Sequence, residues 1–254
     1  MLGYVDQLAW YPMRGSDLMQ QIWLAARLLL RSFCMGCRHQ GTLNLTAREH
    51  LRLTRKTFRL AWCYSAFVPK NHPRRVRGAT EAAFASAVYD VLTDWNGINI
   101  ENRETLRQVL LQFVSPNLCK IATGLYEKEM TGSLESHGLD RGVDALRFVL
   151  DVFGVSVGEV NGYSIEEAGY ALQAIDDLLD YESDVRCGDI NFLTSSHREQ
   201  VLGNLNNWIS HLPIQIWCER SFAFRIALRR ALDKARQLKQ ESLPGQTNSI
   251  HDAA

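Results

Sequence analysis

The chain has 254 residues, enough for one large domain or two small ones and for a sizeable buried core. Hydrophobic residues make up 46% and charged residues 22%, an ordinary globular balance, and the 28 basic and 28 acidic residues cancel. A formal net charge of zero excludes a broad basic field, so no nucleic-acid partner is expected.

Residues 1–15 carry Pro12 and Gly15 and are expected to form an irregular lead-in, with nothing that reads as a secretory signal. Residues 16–33 are helical by pattern, with Ser16 and Asp17 as N-cap and first-turn acid. The most apolar early run, 23–33, is interrupted by Arg27 and Arg31 and is too short to span a bilayer. An amphipathic helix is expected there, with a weak membrane-surface contact as the minority alternative. No membrane span is expected anywhere. The six cysteines (Cys34, Cys37, Cys63, Cys119, Cys187, Cys218) lack framework spacing, which favours free thiols in a reducing, cytoplasmic setting. Cys34 and Cys37 form a lone CxxC without a second pair, so buried thiols are expected there rather than a metal site.

Residues 38–44 read as a polar break, and Thr46 opens a second helix in which Leu51, Phe58, Trp62 and Phe67 recur at helical intervals. Its basic members Arg48, Arg52, Arg55, Lys56 and Arg59 are expected to form a solvated face. Pro69 and Pro73 punctuate the chain before a helix over 74–95, rich in small residues, that 96–99 ends with Gly97 as C-cap. Helices are expected over 103–113 and 117–135, with Pro116 between them, then a turn over 136–140. Residues 142–160 contain Gly154 and Gly158, which point to a bend or a close approach. Ser164, Glu166 and Glu167 start the next helix, 200–216 and 222–238 close the chain, and 244–254 is expected as a disordered tail. Strand alternation is scarce, and GxGxxG, GxxxxGKS and solenoid repeats are missing. Residues 1–254 therefore read as one all-α domain, a single bundle of roughly eight to ten helices.

The chemistry concentrates in LQAIDDLLDYESDVRCGDINFL, residues 172–193, with Asp176, Asp177, Asp180, Asp184 and Asp189. The helical repeat places Asp176, Asp180 and Asp184 on one face, where like charges repel by roughly a few tenths of a kcal/mol per exposed pair. A hard cation such as Mg²⁺, held by a few carboxylates and substrate phosphate oxygens, would relieve that repulsion. A solvated acidic face is the plainer reading, but Ala171, Ile175, Leu178, Leu179 and Phe192 crowd the same segment. A second pair, Asp90 and Asp94, repeats the i, i+4 spacing in another largely apolar helix. Two such helices facing each other in a bundle would form a cation cradle.

The segment 172–193 resembles the second aspartate motif of squalene and phytoene synthases, with Gln173, Asp180, Asp184, Arg186 and Gly188 matching in position. Gly169-Tyr170-Ala171 resembles the lead-in to that motif. PRRVRGATEAAFASAVYDVLTD (73–94) resembles the first motif, and VFGVSVG (152–158) the helix between them. The ending GDINF is closer to the related large bacterial terpene synthases. The resemblance covers roughly residues 73–193.

It implies a class I isoprenoid-synthase bundle with a central cavity, and a class I terpene synthase activity. A linear prenyl diphosphate would be ionised with Mg²⁺ as the cofactor, followed by carbocation cyclisation or elimination. The implied metal ligands are Asp90, Asp94, Asp180 and Asp184, with Asp176 and Asp177 as supporting or substitute ligands. Arg186, Arg74, Arg75, Arg77 and Gln173 are the implied diphosphate contacts. Phe84, Tyr89, Trp95, Phe148, Phe153 and Tyr170 lie on the relevant helices as core or cavity wall. Head-to-head coupling of two prenyl diphosphates, as in phytoene synthase, is the alternative within the family. A non-catalytic helical assembly partner is the alternative outside it, and a homodimer is among the assemblies the reading allows.

Overall fold

A computed structural model describes residues 15–94, 100–131, 138–155, 164–187, 191–193, 198–210 and 212–241, with backbone alone at 93, 94, 129, 130, 138 and 187. Among the described residues there are ten helices and no strand, so the fold is all-α. In chain order they are α1 (Gly15–Leu43), α2 (Ala47–Tyr64), α3 (Arg75–Asp94), α4 (Ile100–Leu110) and α5 (Pro116–Met130). There follow α6 (Gly138–Phe153), α7 (Ile165–Cys187), α8 (Arg198–Ser210), α9 (Ile214–Arg220) and α10 (Phe222–Glu241).

Local chemistry explains the helix ends, including those that differ from expectation. Helix α1 runs through the supposed polar break because Ser32, Met35, Gly36, His39 and Leu43 continue its buried stripe at helical spacing. It stops at Asn44, whose φ of 49° is a left-handed conformation that asparagine tolerates. Thr46 then caps α2. Its hydroxyl accepts from the Glu49 N–H while the Glu49 carboxylate accepts from the Thr46 N–H at 2.8 Å, a reciprocal capping box. Helix α6 ends earlier than expected because Gly154 takes φ 75°. Its N–H donates to Asp151 O at 2.9 Å and Val155 N–H to Leu150 O at 3.0 Å, which satisfies carbonyls at the helix end. The expected helix over 200–216 is split by Pro213 into α8 and α9. Gly97, Gly158 and the tail 244–254 lie outside the described residues, as does all of the lead-in except Gly15.

Five helices close a ring. Helix α2 packs on α3, α3 on α6, α6 on α7, α7 on α10, and α10 back on α2. Helix α1 lies against α2 and α3, α4 and α5 continue from α3 to α6, and α8 packs on α7. The α6–α7 side is a backbone contact. A Cβ on Gly142 would stand 2.1 Å from Gly169 O, and one on Gly169 would stand 2.4 Å from the Val143 Cα. The α10–α2 side is closed by a polar knot at the α9–α10 corner. Arg220 O accepts from Gln21 Nε2 at 3.0 Å and from Arg75 Nη2, and Ser221 Oγ donates to Trp62 O. Gln21 Oε1 in turn accepts from Trp62 Nε1 and from the Phe222 N–H, each at 3.2 Å. The rest of the buried Arg75 guanidinium goes to Ser65 O at 3.2 Å and Lys70 O at 3.5 Å. Arg75, expected to reach a diphosphate, is instead committed to holding three chain segments together.

Two glycine substitutions should separate contact from propensity in thermal melts. Gly169→Ala forces α6 and α7 apart and should cost about 1–3 kcal/mol or more. Gly203→Ala lies on α8 with nothing within 4 Å of the added Cβ, so it should gain about 0.5–1 kcal/mol.

Candidate functional site

Helix α7 carries two acidic faces rather than one. Asp176 and Asp180 share a face at i, i+4, whereas Asp184 has drifted round the helix to within ~20° of Asp177. The expected single stripe of Asp176, Asp180 and Asp184 is therefore divided, and the two faces do different things.

Asp177 is buried and accepts from Gln173 Nε2 at 2.8 Å and from the Phe192 N–H at 3.3 Å. Asn191 Nδ2 donates to Asp177 O at 2.7 Å and to Asp184 Oδ2 at 2.8 Å, while its own Oδ1 accepts from the Leu193 N–H at 3.0 Å. These four side chains clamp residues 191–193 onto α7. Burial pushes the Asp177 carboxyl up to about 6, against the pull of the Gln173 and Phe192 hydrogen bonds. Gln173 thus spends its amide on the clamp, in a place different from the expected diphosphate contact.

On the other face, water reaches Asp176 and Asp180, yet burial is the leading cause of a raised pKa for both. The Asp176 carboxyl is pushed up to about 7, first by burial and then by the Asp180 charge; Asp90 and Asp177 add to it and Arg141 opposes. Asp180 is raised by burial and by Asp90, and lowered by Lys56 and Arg59. Asp90, on α3, therefore acts on both α7 carboxyls, although the ring places α2 and α6 beside α3 and not α7.

Cations arrive from two further helices. Lys56 Nζ of α2 pairs with Asp90 Oδ2 at 2.5 Å. Arg141 of α6 lies over the Tyr89 ring, 5.9 Å from its centroid. Lys56, expected on a solvated face, is half-buried beside the acidic group, while Arg48, Arg52, Arg55 and Arg59 are exposed as expected, Arg59 still acting on Asp180. The signal in the sequence was the shared spacing of Lys56 and Arg59 with Cys63 along one side of α2. Cys63 and Tyr64 feel the Asp176 charge; burial is the main cause that lifts the Cys63 thiol to about 12 and raises the Tyr64 phenol. The Tyr64 hydroxyl lies 3.1 Å from Ser86 Oγ.

The expected arginines fall elsewhere. Arg77 Nε and Arg74 Nη2 pair with the buried Glu81 at 2.7 and 3.8 Å, and Arg31 of α1 joins them at 3.4 Å. Glu81 and Asp90 are nine residues apart, ~13.5 Å along α3 and half a turn round it. Arg74 and Arg77 consequently sit on the side of α3 away from Asp90. Arg186 is exposed in the last turn of α7 and acts on Glu182. Of the aromatics, Phe84, Phe148 and Phe153 are core, Tyr170 donates to Asp140 at 3.3 Å, and Tyr89 is the buried ring beside the acidic group. The side chain of Asp94, along with Trp95, Gly188 and Asp189, lies outside the described residues. Cys34 and Cys37 are free and exposed, not buried, because both fall on the outward side of α1. Among the described residues no three His, Cys, Asp or Glu side chains group closely enough to hold a metal ion.

The raised Asp176 carboxyl makes a signed prediction. Its folded pKa of about 7 lies above the ordinary 3.8, so the native state holds more protons between these values and stability falls as pH rises through that window. Asp176→Asn should therefore raise the melting temperature above about pH 7 and leave it level near pH 4. Water screens this group, so the gain should be on the order of 1 kcal/mol, short of the full linkage value. Urea melts of both proteins at the two pH values check it.

Compared with known proteins, the chain matches no family model, no curated protein and no solved structure.

Proposed function

We propose that this chain is a class I terpene synthase that ionises a linear prenyl diphosphate inside a cavity enclosed by the five-helix ring. The observation that carries the reading is the electrostatic influence of Asp90 on Asp176 and Asp180 across the ring, from a helix that is not adjacent to theirs in it. The aspartate motifs at 73–94 and 172–193, with their resemblance to squalene and phytoene synthases and to large bacterial terpene synthases, support the same reading.

The donor set fits Mg²⁺ in kind. It is made of carboxylate oxygens, and burial is the first cause that raises Asp176 and Asp180, beside the cations Lys56, Arg59 and Arg141. Mg²⁺ needs only one or two carboxylates beside substrate phosphates, so a preformed protein cage is not required. Asp90, Asp176 and Asp180 would hold it, with Asp94 added from the sequence motif, and it would supply positive charge to a departing diphosphate. Asp184 and Asp177 act one step back, by fixing residues 191–193 on α7.

The remaining chemistry belongs to the chain's own side chains. Lys56, Arg59 and Arg141 surround the carboxylates and would contact diphosphate oxygens. The Tyr89 and Tyr64 rings offer faces that stabilise a cation by up to about 2 kcal/mol where water is excluded. The raised Cys63 thiol and Tyr64 phenol keep their protons, so neither presents an anion to trap a carbocation.

One observation favours a rival: Lys56 already pairs with Asp90, as it would in a non-catalytic helical partner that had kept the fold. Purified protein incubated with prenyl diphosphates of increasing length and Mg²⁺ distinguishes the two. The synthase reading expects Mg²⁺-dependent diphosphate release and a terpene of the substrate's carbon number. A product of doubled carbon number would place the chain with the head-to-head prenyltransferases. No release at any length would leave the assembly partner. Asp90→Asn should lower turnover roughly a hundredfold or more, about 3 kcal/mol of barrier, while the fold persists. Near-normal turnover in that variant would remove α3 from catalysis.

A further inference from the structure

Helix α1 buries one side and leaves the opposite side apolar as well. Leu24, Leu28, Met35 and His39 turn inward, while Met19, Ile22, Trp23, Leu29, Leu30 and Phe33 are 49–67% exposed. With the exposed Ala26 between Trp23 and Leu29, the set recurs every three or four residues and forms one continuous stripe about four turns long. Isolated exposed apolar residues are ordinary; a stripe of this extent marks a contact surface.

Charge identifies the partner. The whole chain is neutral, but α1 and α2 carry eight basic residues against two acidic ones, Asp17 and Glu49; Arg31, Lys56 and Arg59 act on Glu81, Asp90 and Asp180, and the other five are the exposed Arg27, Arg38, Arg48, Arg52 and Arg55. Asp17 is paired with Lys70 and Glu49 is held in the α2 capping box, so both negative charges are answered locally. One edge of the stripe is followed round α1 by the exposed Arg27 and Arg38. The other edge meets α2, where the Phe33 ring lies 5.9 Å from that of His50. There the exposed residues are Arg48, Leu51, Arg52 and Arg55. Arginines therefore border the apolar stripe on both sides.

We infer that this face of α1, with the arginine edge of α2, is a docking surface for an anionic lipid bilayer. The apolar side chains enter the boundary between headgroups and acyl chains, Trp23 sits at the interface, and the arginines reach lipid phosphates. No described helix is long and apolar enough to cross a membrane, so α1 lies in the plane of the surface. A second copy fits less well. Antiparallel packing of two α1 stripes about a two-fold axis brings like edges together, arginine against arginine. The inference is independent of the proposed catalysis.

Flotation of the full chain with lipid vesicles tests it. Vesicles of phosphatidylcholine alone are compared with vesicles containing a quarter phosphatidylglycerol, at low and high salt. Binding should be about tenfold or more tighter on the anionic vesicles, and salt should weaken it. Trp23→Glu combined with Leu30→Glu should abolish binding without lowering the melting temperature, since both side chains are about two-thirds exposed. Arg48→Gln combined with Arg55→Gln should weaken binding only to anionic vesicles. Failure to float with anionic vesicles at low salt would overturn the inference, as would equal flotation by the Trp23/Leu30 variant. A dimer in sedimentation equilibrium that the same variant dissociates, in a protein that ignores vesicles, would assign the face to a second copy and overturn it too.

Discussion

The ring depends on a few hydrogen bonds made at its last corner. Arg220 O, Ser221 Oγ and the Phe222 N–H connect to Gln21, Trp62 and Arg75, residues 145 to 201 positions away for the bonds to Gln21 and Arg75. These groups are buried or half-buried, so leaving any of them unmatched costs about 1–3 kcal/mol. Their pairing fixes where α10 begins, and α10 then spans from α2 to α7. On the opposite side, the Gly142–Gly169 contact fixes α7 against α6 through main chain alone. Helix α7 is thus positioned from both flanks, and its outward choice of face follows from that.

The consequence for the acidic segment is a division of labour between adjacent residues. Asp177 points into packing and exchanges hydrogen bonds with Gln173, Phe192 and the Asn191 clamp. Asp176, one residue earlier and ~100° round the helix, has water, Asp180 and the Asp90 charge as its surroundings. Desolvation raises both carboxyls, but only Asp177 has neutral donors to offset it. A clamp needs donors already in place, whereas a binding position needs the compensation to come from outside.

The all-α class and the helix starts at Thr46 and Ser164 were legible because capping chemistry is local, and the two acidic helices stood out because their pattern is periodic. The pairing of Lys56 with Asp90, and of Arg31 with Glu81, was not. Periodicity tells which residues share a face but not which helix that face meets. Periodicity also made Asp184 look like a partner of Asp176: an i, i+4 step repeated twice drifts round the helix by ~80° in total, which short windows conceal. Arg75 reads as one more basic residue of an arginine-rich start, and only the fold brings Ser65, Lys70 and Arg220 to it. Cys34 and Cys37 look buried because a run of Leu and Phe precedes them, yet that run is itself the outer stripe of α1.

The closure of the ring by α10 has a bearing on how the chain folds. Four of its five helices lie between residues 47 and 187, while the fifth begins only at residue 222. Contacts so far apart in sequence carry a large loop-closure entropy and form late. Until α10 docks, α7 lacks one of its two flanking helices, and the ring stays open between α7 and α2. The like-charge repulsion between Asp176 and Asp180, at i, i+4 on α7, is in place as soon as that helix forms. The slow step is then the return of α10 to α2, set by chain length and not by the charge of the aspartates.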